Sequence, residues 1–338
     1  DTAHTTPQAP ELQRLLYYAK ERMHDNVVME VSSHSLVQKR VDCIDFNGAV
    51  FTNLTQDHLD FHITMDNYFK AKAMLFENLV IGDFAVINND DEYAKRFKEV
   101  VSPMVSVYTY GVTAGCDIMA KDIMFSDTGA KFTCVVKGKE YKANLMMNGL
   151  FSVYNVLAAI ATAVALKFDV EKAIKVFENI PGVAGRFEVV ATKPTVIVDY
   201  AHTPDGLKNV LNAARGITQK DGKLICLFGC GGDRDATKRP KMGRIAEELA
   251  DKVIVTSDNP RSEDPQQIIT DILAGFKSVN DVVVEPDREL AIKEACKIST
   301  PKDIVIVAGK GHEDYQILAD KTIHFDDREK VREIFLGE

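Results

Sequence analysis

Four polar segments in the second half of the sequence carry side chains suited to bind a small charged molecule. Each follows directly on a short apolar run, and they read Asp199-Tyr-Ala-His202, Gly229-Cys-Gly-Gly-Asp-Arg-Asp235, Asp258-Asn-Pro-Arg261 and Gly309-Lys-Gly-His-Glu-Asp314. In an open parallel sheet, the carboxyl ends of the strands line the ligand crevice. We therefore expect the four segments to converge on one site. Their glycines let the backbone approach a ligand closely, although glycines also serve plain turns.

Arg234 and Arg261 have the most specific chemistry in these segments. A guanidinium group binds a carboxylate through two parallel hydrogen bonds, a geometry that lysine does not reproduce. Glu313, on the same edge as Asn259, would hold an ammonium group, so the set favours a zwitterionic substrate. The alternative is that the arginines form surface ion pairs with the neighbouring acids Asp233, Asp235, Glu263 and Asp264.

The first half contains a cluster of acidic and imidazole side chains. It consists of Glu30, Asp57, His58, Asp60 and His62. Carboxylate oxygens suit hard divalent cations, and imidazole adds nitrogen ligation. The alternative is a solvated loop whose aspartates cap helices, and the spacing alone favours that alternative.

Apolar runs rich in β-branched residues alternate with helix-like segments in the second half. The runs span 195–198, 224–228, 253–255, 282–284 and 304–307, and the helical segments begin near Pro204, Arg239, Pro265, Asp287 and Asp326. Proline and aspartate are typical of the first turn of a helix. Continuous apolar runs of this kind predict parallel strands covered on both faces, and hence a doubly wound α/β domain.

The first half predicts a second, less complete α/β unit. We expect strands at 27–31, 49–51 and 84–87, an antiparallel patch over 117–145 with turns at Gly129 and at 137–139, and helices over 152–167 and 170–179. A hinge is expected at 181–185, where prolines and glycines interrupt the pattern. The 338 residues are therefore predicted to divide into two domains, 1–180 and 181–338.

Composition excludes several classes of protein. Lys and Arg number 41 against 50 Asp and Glu, and the formal net charge of −9 argues against a nucleic-acid partner. Hydrophobic residues make up 46% and charged residues 27%, the proportions of a folded globular protein. The longest apolar stretch, 149–166, is interrupted by polar residues and is predicted to be a buried helix, so no membrane span is expected.

The six cysteines show no metal-binding pattern. They are Cys43, Cys116, Cys134, Cys226, Cys230 and Cys296. None belongs to a CxxC pair or to a zinc-type spacing, so we expect buried thiols of a reducing compartment, with the cytoplasm as the location.

Eight ordered motifs resemble those of the Mur ligases, from about residue 4 to the end of the chain. They read Met29-Glu-Val-Ser-Ser-His-Ser-Leu36, Thr52-Asn-Leu-Thr-Gln-Asp-His-Leu-Asp-Phe-His62, Tyr68-Phe-Lys-Ala-Lys-Ala-Met-Leu-Phe76, Gly185-Arg-Phe-Glu188, Asp199-Tyr-Ala-His-Thr-Pro-Asp205, Gly231-Gly-Asp-Arg-Asp235, Asp258-Asn-Pro-Arg261 and Gly309-Lys-Gly-His-Glu313. The resemblance implies part of a central ATPase domain, followed by a doubly wound, Rossmann-like domain that binds the incoming amino acid.

The resemblance also implies a reaction. ATP phosphorylates the γ-carboxyl of D-glutamate in UDP-N-acetylmuramoyl-L-alanyl-D-glutamate, and an amine attacks the acyl phosphate, with Mg²⁺ stabilising charge on the phosphoryl oxygens. The Asp-Asn-Pro-Arg form resembles the members that add meso-diaminopimelate to this peptidoglycan precursor, in which the Arg meets the distal carboxylate. The implied partners are these small molecules, with no nucleic acid and no membrane, and we expect a monomer.

The matching motifs imply roles for individual residues. Glu30 and His58 would be magnesium ligands together with Lys72, which matches a lysine that the family carbamylates, and Lys72 and His202 would be catalytic. The alternative for Lys72 is a salt-bridged helix lysine. The residues expected to grip the muramoyl dipeptide are Thr5, Thr6, Ser32, Gln38 and Arg40. Those expected to face ATP are Asn148, Asn155, Arg186, Asp199 and His202. Those expected to select the amine are Arg234, Asn259, Arg261, Gly309 and Glu313.

The sequence departs from the family in two respects. A Gly-Thr-x-Gly-Lys-Thr/Ser phosphate-binding loop occurs nowhere in it, and the amino-terminal uridine-binding domain is not matched. We therefore expect a fragment of a longer ligase that forms no product by itself. The alternatives are an L-lysine-adding or other Mur-type ligase, a folylpolyglutamate or cyanophycin synthetase, and a non-catalytic binding module. A dehydrogenase is disfavoured, because no predicted strand is followed by GxGxxG.

Overall fold

Two six-stranded sheets organise the chain, and the computed structural model describes residues 5–126 and 129–337. The first sheet has the order β1-β2-β3-β4-β5-β6. Its strands are β1 (Gly48–Phe51), β2 (Phe84–Asn88), β3 (Ser106–Gly111), β4 (Ile118–Ser126), β5 (Gly129–Val136) and β6 (Lys139–Leu145). Strands β1 to β4 pair in parallel and β4 to β6 pair antiparallel, which confirms the antiparallel patch predicted over 117–145. The turn predicted at Gly129 falls partly on residues 127 and 128, which lie outside the described residues.

The helices of the first half cover both faces of this sheet. They are α1 (Ala9–Glu21), α2 (Ser33–Val37), α3 (Leu59–His62), α4 (Met65–Glu77), α5 (Ala94–Val100), α6 (Leu150–Ala165) and α7 (Val170–Phe177). Helix α6 packs across β2, β3 and β4 with Leu157 and Ile160 fully buried, which confirms the buried helix predicted within 149–166. On the opposite face, Phe51 stacks on Phe97 with 3.9 Å between ring centroids. None of the helices described is both long enough and apolar enough to cross a bilayer.

The second sheet is doubly wound, as predicted. Its order is β11-β10-β9-β12-β8-β7. The strands are β7 (Glu188–Thr192), β8 (Thr195–Asp199), β9 (Leu224–Phe228), β10 (Lys252–Val255), β11 (Val282–Val284) and β12 (Ile304–Ala308). All of them run parallel except β7, an antiparallel edge strand that the apolar pattern did not predict.

Helices lie on both faces of the second sheet, beginning at or next to the predicted residues. They are α8 (Pro204–Ile217), α9 (Arg239–Leu249), α10 (Pro265–Leu273), α11 (Arg288–Ile298) and α12 (Asp327–Val331), and a hairpin of β13 (Tyr315–Ile317) and β14 (Thr322–His324) precedes α12. Alternate strand residues face the two layers, so Ile197 and Ile306 pack towards α8 to α10 while Val196 and Val305 pack towards α11 and α12. The polar segments that follow the parallel strands therefore meet at one edge of the sheet.

Two predictions of burial are wrong. Residues 27–31 form no strand and no helix, and Val28 is 94% exposed. The reason is that a strand needs a hydrogen-bonded neighbour, and within the described residues β1 pairs with β2 alone. Cys43 is also exposed, because it lies in a turn after α2; Cys116 and Cys296 are half-buried, and the other three cysteines are buried as predicted.

Candidate active site

A cleft of about 1750 Å³ separates the two halves of the chain. Its walls come from β1, α4 and α6 on one side, and from the 181–189 segment and the loop after β8 on the other. The predicted site residues that line it are Thr5, Glu30, Ser32, His58, Lys72, Asn148, Asn155, Arg186, Asp199 and His202. The structure thus brings residues from both halves to one cavity, as expected for a site that joins two substrates.

Asp57 connects the two walls of the cleft. Its Oδ2 lies 3.4 Å from Nε2 of His58 and 3.8 Å from Nε2 of His202, which belongs to the other half. His58 precedes α3 in a left-handed conformation, with φ of +54°. The family motifs assigned a role to both histidines but none to Asp57, although the analysis of charge placed it in the acidic cluster.

Lys72 on α4 is half-buried. Its Nζ lies 5.2 Å from the centre of the Tyr68 ring, and within the described residues it forms no ion pair, so the alternative of a salt-bridged helix lysine is not supported. Burial lowers the pKa of Lys72, and the more distant carboxylates of Glu30 and Asp57 oppose that shift only in part. A lysine in this state is readily neutral, and a neutral amine is a nucleophile.

The donor set fits a magnesium ion only if Lys72 is modified. In the part of the chain that the structure describes, no group of three or more His, Cys, Asp or Glu side chains is arranged to hold a metal ion. The five-residue cluster is not formed as a site either, because His62 is buried with its Nε2 2.8 Å from Ser33 Oγ. A carbamate on Lys72 would replace a cation by oxygen donors, which Mg²⁺ prefers.

The residues predicted to bind the muramoyl dipeptide lie around α2, with Ser32 at its start and Gln38 and Arg40 after its end. Thr6 Oγ1 donates to the carbonyl of Glu30 at 2.9 Å and accepts from the Ser32 amide at 3.0 Å. Ser32 caps α2, its Oγ accepting from the Ser35 amide. Arg40 donates to the Thr6 carbonyl at 2.9 Å and to the side chain of Gln38. Thr5 is exposed beside them on the cleft wall.

Asp199 ends β8 and holds the backbone at the opposite wall. Its two carboxylate oxygens accept from the amides of Phe187 and Ala201, each at 2.7 Å. Burial raises the pKa of Asp199 despite these bonds. The neighbouring His202 Nδ1 lies 2.8 Å from the carbonyl oxygen of Tyr200, and because a carbonyl only accepts, Nδ1 carries the proton. His202 Nε2 then faces Asp57 and the cleft.

The other residues predicted to face ATP differ in how tightly they are held. Arg186 is exposed and covers the Tyr200 ring, with 4.3 Å from Cζ to the ring centre. Asn155 is exposed on α6. Asn148 is buried, and its Nδ2 donates to the Ser126 carbonyl at 2.7 Å, whereas its Oδ1 has no hydrogen-bond partner among the described residues.

The predicted amine-selecting residues lie beside this cleft and not in its wall. Glu313 Oε2 accepts from Asn259 Nδ2 at 2.9 Å and from Lys310 Nζ at 3.3 Å, and Lys310 is fully buried. Glu313 Oε1 is 3.4 Å from the hydroxyl of Tyr200, a residue that also lines the cleft. Burial and then Glu313 raise the pKa of Tyr200 to about 12, so its hydroxyl is a donor at neutral pH. Tyr200 therefore joins the two regions.

Arg234 and Arg261 flank one backbone position. A Cβ on Gly231 would lie 2.8 Å from Nη1 of Arg261 and 3.9 Å from Cγ of Arg234. Arg261 adopts φ of +53° and donates to the Gly232 carbonyl at 2.8 Å. Within the described residues neither guanidinium lies within 4.0 Å of a carboxylate, so the expected alternative of surface ion pairs is not found. Hydrogen bonds from Ser262 and, to a lesser extent, the guanidinium groups of Arg261 and Arg234 lower the pKa of Asp233, so this carboxylate is an electrostatic neighbour of both arginines.

Gly309 is a glycine for a steric reason. Its φ is +121°, and a Cβ there would lie 2.4 Å from Oδ2 of Asp258. Because glycine has no side chain, the loops after β10 and β12 can approach each other closely at this position.

Three residues that contact the predicted set had no assigned role in the sequence analysis. Gln56 donates to Asp235 Oδ2 at 3.2 Å and to Thr237 Oγ1 at 3.0 Å, and Lys241 donates to its Oε1, so Gln56 ties the two halves together. Lys310 and Tyr200 were quoted only as parts of motifs. The position of Lys310 between two glycines at a strand end marks it as a candidate site residue, but this pattern does not predict that the side chain is buried.

Comparison with known proteins agrees with this geometry. A family model for the Mur ligase middle domain matches residues 1–163, and a model for the Mur ligase glutamate ligase domain matches residues 185–311. The chain is 50% identical to a UDP-N-acetylmuramoyl-L-alanyl-D-glutamate--2,6-diaminopimelate ligase from Synechocystis, over 98% of this chain and 66% of that protein. A ligase of the same name from Clostridium botulinum is 46% identical, over 98% of this chain and 68% of that protein.

A solved structure of a ligase with this name has the same fold. It is 36% identical, covers 99% of this chain and 69% of its own, and superposes with a TM-score of 0.66. The chain thus spans about two thirds of the length of the relatives that it matches. Identity of this extent over both sheets, together with one family model for residues 1–163 and another for residues 185–311, establishes that the chain belongs to the Mur ligase family.

Proposed function

We propose that this chain provides the amine-selecting region and much of the central cleft of a ligase that adds meso-diaminopimelate to UDP-N-acetylmuramoyl-L-alanyl-D-glutamate. The observation that carries the proposal is that Asn259 lies between Arg261 and Glu313: its main-chain carbonyl oxygen is 3.4 Å from Arg261 Nη1, and its Nδ2 donates to Glu313 Oε2 at 2.9 Å. A diamino diacid presents one carboxylate and one ammonium group at each end. Its charges match that arrangement, and the names of the similar ligases support it.

The chemistry requires an activated carboxyl group. Transfer of the γ-phosphoryl group of ATP to the glutamyl carboxylate gives an acyl phosphate and ADP. The amine nitrogen then forms a bond to the acyl carbon, the bond from that carbon to the phosphate oxygen breaks, and inorganic phosphate leaves as the amine loses a proton. The amine must be held as the free base at the moment of attack, which makes the hydrogen-bond acceptors around it important.

The groups on the two sides of the site have different tasks in this proposal. Arg261 binds the distal carboxylate of the amine, Arg234 adds positive charge beside it, and Glu313 with Asn259 holds an amino group. Arg261 is half-buried, and leaving its guanidinium group without a carboxylate is unfavourable, so L-lysine should bind more weakly. The Tyr200 hydroxyl, 3.4 Å from Glu313, lies between this region and the cleft in which the acyl group would be activated.

The cleft would hold the nucleotide and the acyl substrate. The nucleotide side of the cleft consists of Asn148, Asn155, Arg186, Asp199 and His202. The dipeptide side consists of the residues around α2, namely Thr5, Thr6, Ser32, Gln38 and Arg40. Mg²⁺, which Glu30, His58 and a carbamylated Lys72 would hold, supplies positive charge next to the phosphoryl oxygens when bound. His202, neutral with its Nδ1 protonated, offers Nε2 as an acceptor towards the same space.

The remaining assignments follow from the same proposal. We assign residues 1–180 to the central ATP-binding domain and residues 181–338 to the domain that binds the incoming amino acid. A cell-wall precursor ligase uses cytoplasmic nucleotide substrates, so the cytoplasm is the proposed location, and a monomer is the proposed state.

Calorimetry on this chain tests the amine assignment. Titration with meso-diaminopimelate should release heat, whereas L-lysine should bind at least about tenfold more weakly because it lacks the distal carboxylate. The variant Arg261→Ala should lose the difference between the two ligands and keep its affinity for ADP. The matched control is Arg215→Ala, which removes an exposed arginine paired with Asp251 at the far end of the sheet. Equal affinity of Arg261→Ala and the unchanged chain for meso-diaminopimelate would contradict the assignment.

A further inference from the structure

Arg288, the first residue of α11, is a fully buried arginine that takes no part in the contacts described above. Its Nε and Nη2 donate to the two carboxylate oxygens of Asp327, both at 2.7 Å, and Asp327 is itself fully buried at the start of α12. The two side chains therefore form a bidentate salt bridge between a guanidinium group and a carboxylate. The charge of Arg288 is therefore compensated, and its orientation is fixed.

The remaining donors of Arg288 reach two strand ends. Nη1 donates to the carbonyl of Ser257 at 3.1 Å, and Nη2 donates to the carbonyl of Ala308 at 3.0 Å. Ser257 lies two residues before Asn259, and Ala308 directly precedes Gly309. Strands β10 and β12 are not neighbours, because β9 lies between them in the sheet. No ladder hydrogen bond can set the spacing of the loops that follow. Side chains link them instead: Arg288 at the strand ends where both loops begin, and Asn259 with Glu313 and Lys310 further along the loops.

A second set of contacts holds the same region from the other side. Strand β13 forms hydrogen bonds with the loop after β10. Gln316 Nε2 donates to the Asp258 carbonyl at 2.7 Å, and the Ile317 amide donates to Asn259 Oδ1 at 2.9 Å. The Arg261 amide donates to the Ile317 carbonyl at 3.1 Å. The hairpin then leads into α12, which begins with Asp327. The loop that carries Asn259 and Arg261 is thus held between the hairpin and Arg288.

We propose that Arg288, held in place by Asp327, is a positioning residue that sets the distance between the loop bearing Asn259 and Arg261 and the loop bearing Glu313. The inference rests on the proposed function, since those loops are assigned there to the amine substrate. A ligand that binds Glu313 with its ammonium group and Arg261 with its distal carboxylate spans both loops, so its affinity depends on their spacing. A ligand without the distal carboxylate reaches only one loop and is insensitive to it.

The variant Arg288→Lys tests this role. Lysine keeps the positive charge next to Asp327 but has no fork, so it cannot bond the carboxylate and both carbonyls at once. The matched control is Arg215→Lys, which also loses a fork that pairs an aspartate and a carbonyl, here Asp251 and Leu249, away from these loops. We expect Arg288→Lys to bind meso-diaminopimelate about tenfold or more weakly, with ADP and L-lysine affinities within about twofold of the unchanged chain.

Amide hydrogen exchange without any ligand separates this inference from the proposed function. Exchange in residues 258–263 and 309–313 should accelerate in Arg288→Lys and stay unchanged in Arg215→Lys. Unaltered exchange in both loops, or unaltered affinity for meso-diaminopimelate, would overturn the role of Arg288. If the unchanged chain itself gives no heat with meso-diaminopimelate, the substrate assignment fails, while the exchange rates still decide whether Arg288 positions the loops.

A second variant covers the case in which Arg288→Lys does not fold. The double change Arg288→Met with Asp327→Leu removes both charges and leaves neither buried without a partner, a replacement that proteins often tolerate. It also removes both carbonyl contacts, so the same acceleration of exchange in the two loops is expected. Protection equal to that of the unchanged chain would contradict the proposal.

Discussion

Arginines in this chain serve opposite purposes, and their acid neighbours distinguish them. Arg239 and Arg288 are buried and each is paired with carboxylates, Arg239 with Glu263 at 2.8 Å and Arg288 with Asp327. Arg234 and Arg261 have no such partner within the described residues. The sequence places acids close to all of them, so spacing alone left surface ion pairs as an alternative. Which arginine is free to bind a ligand is decided by the three-dimensional packing of the loops.

His202 provides a test at the level of a single residue. Burial and then the Lys238 ammonium group lower its pKa, whereas the Asp57 carboxylate raises it. Its folded-state pKa therefore lies below the unfolded value of about 6.5, so its contribution to stability is present above that pH and is lost as the pH falls through the folded value. Nitrogen-detected NMR should find a neutral ring with the proton on Nδ1 at pH 7.

The variant Asp57→Asn sharpens this prediction. Removal of the carboxylate should lower the pKa of His202 further, since a charge that favours the imidazolium form is lost. His324 is an internal reference, because its hydrogen bond to Glu329 raises its pKa above the ordinary value in both proteins. A His202 that titrates at or above the ordinary pKa in the unchanged chain would refute the prediction.

Among the secondary-structure elements, the 27–31 segment gives the sharpest contrast between pattern and structure. Val28 is 94% exposed there, whereas Val86 on β2 is fully buried between two helical layers. We expect Val28→Ala to change the free energy of unfolding by less than about 0.5 kcal/mol. Val86→Ala should lower it by about 2 kcal/mol, through lost burial and the cavity that remains. Urea denaturation of both variants measures this, and a large loss for Val28→Ala would show that the segment is packed.

The fold was predictable where a local pattern determines it. Uninterrupted apolar runs such as 224–228 become central parallel strands, and Pro204 and Pro265 mark helix starts, because these features act on the backbone of their own segment. The strand β7 and the 27–31 segment could not be assigned in this way. Each depends on which strand lies next to it, and neighbours in a sheet are a long-range property.

The candidate site was predictable to a different extent in its two regions. Motifs identified residues that meet in the cleft, such as Glu30 and His202, because matched strings carry information about distant contacts. Burial of Lys310 against Glu313, and the connection that Tyr200 makes between the regions, depend on packing at distances that no local pattern encodes. Arg288 illustrates the same limit, since it is one helix residue among many until its carbonyl partners are known.

At the scale of the whole molecule, the polar side-chain contacts found between the two halves of the described chain come from one loop of the first half, and Phe151 adds an apolar contact with Phe187. Gln56 bonds to Asp235 and Thr237, and Asp57 faces His202, so one loop of the first half makes these contacts with the second. Small polar interfaces of this kind permit relative motion of domains.

Gln56→Ala tests how far this loop determines the relative position of the halves. The loss of its hydrogen bonds, each worth about 1 kcal/mol, should shift the population towards more open arrangements and raise the radius of gyration measured by small-angle scattering. The control is Gln267→Ala, which removes an exposed glutamine bonded to Asp271 within the second half alone. An unchanged scattering profile for Gln56→Ala would show that other contacts hold the halves together.

The carbonyl contacts of Arg288 have a consequence for how such a binding region can diversify. The guanidinium group of Arg288 donates to the main-chain carbonyl oxygens of Ser257 and Ala308, and every amino acid has such an oxygen. Side chains further along either loop can be substituted without removing these two hydrogen bonds. Replacement of Arg261 can therefore change which amine is bound, while the backbone that Arg288 holds stays the same.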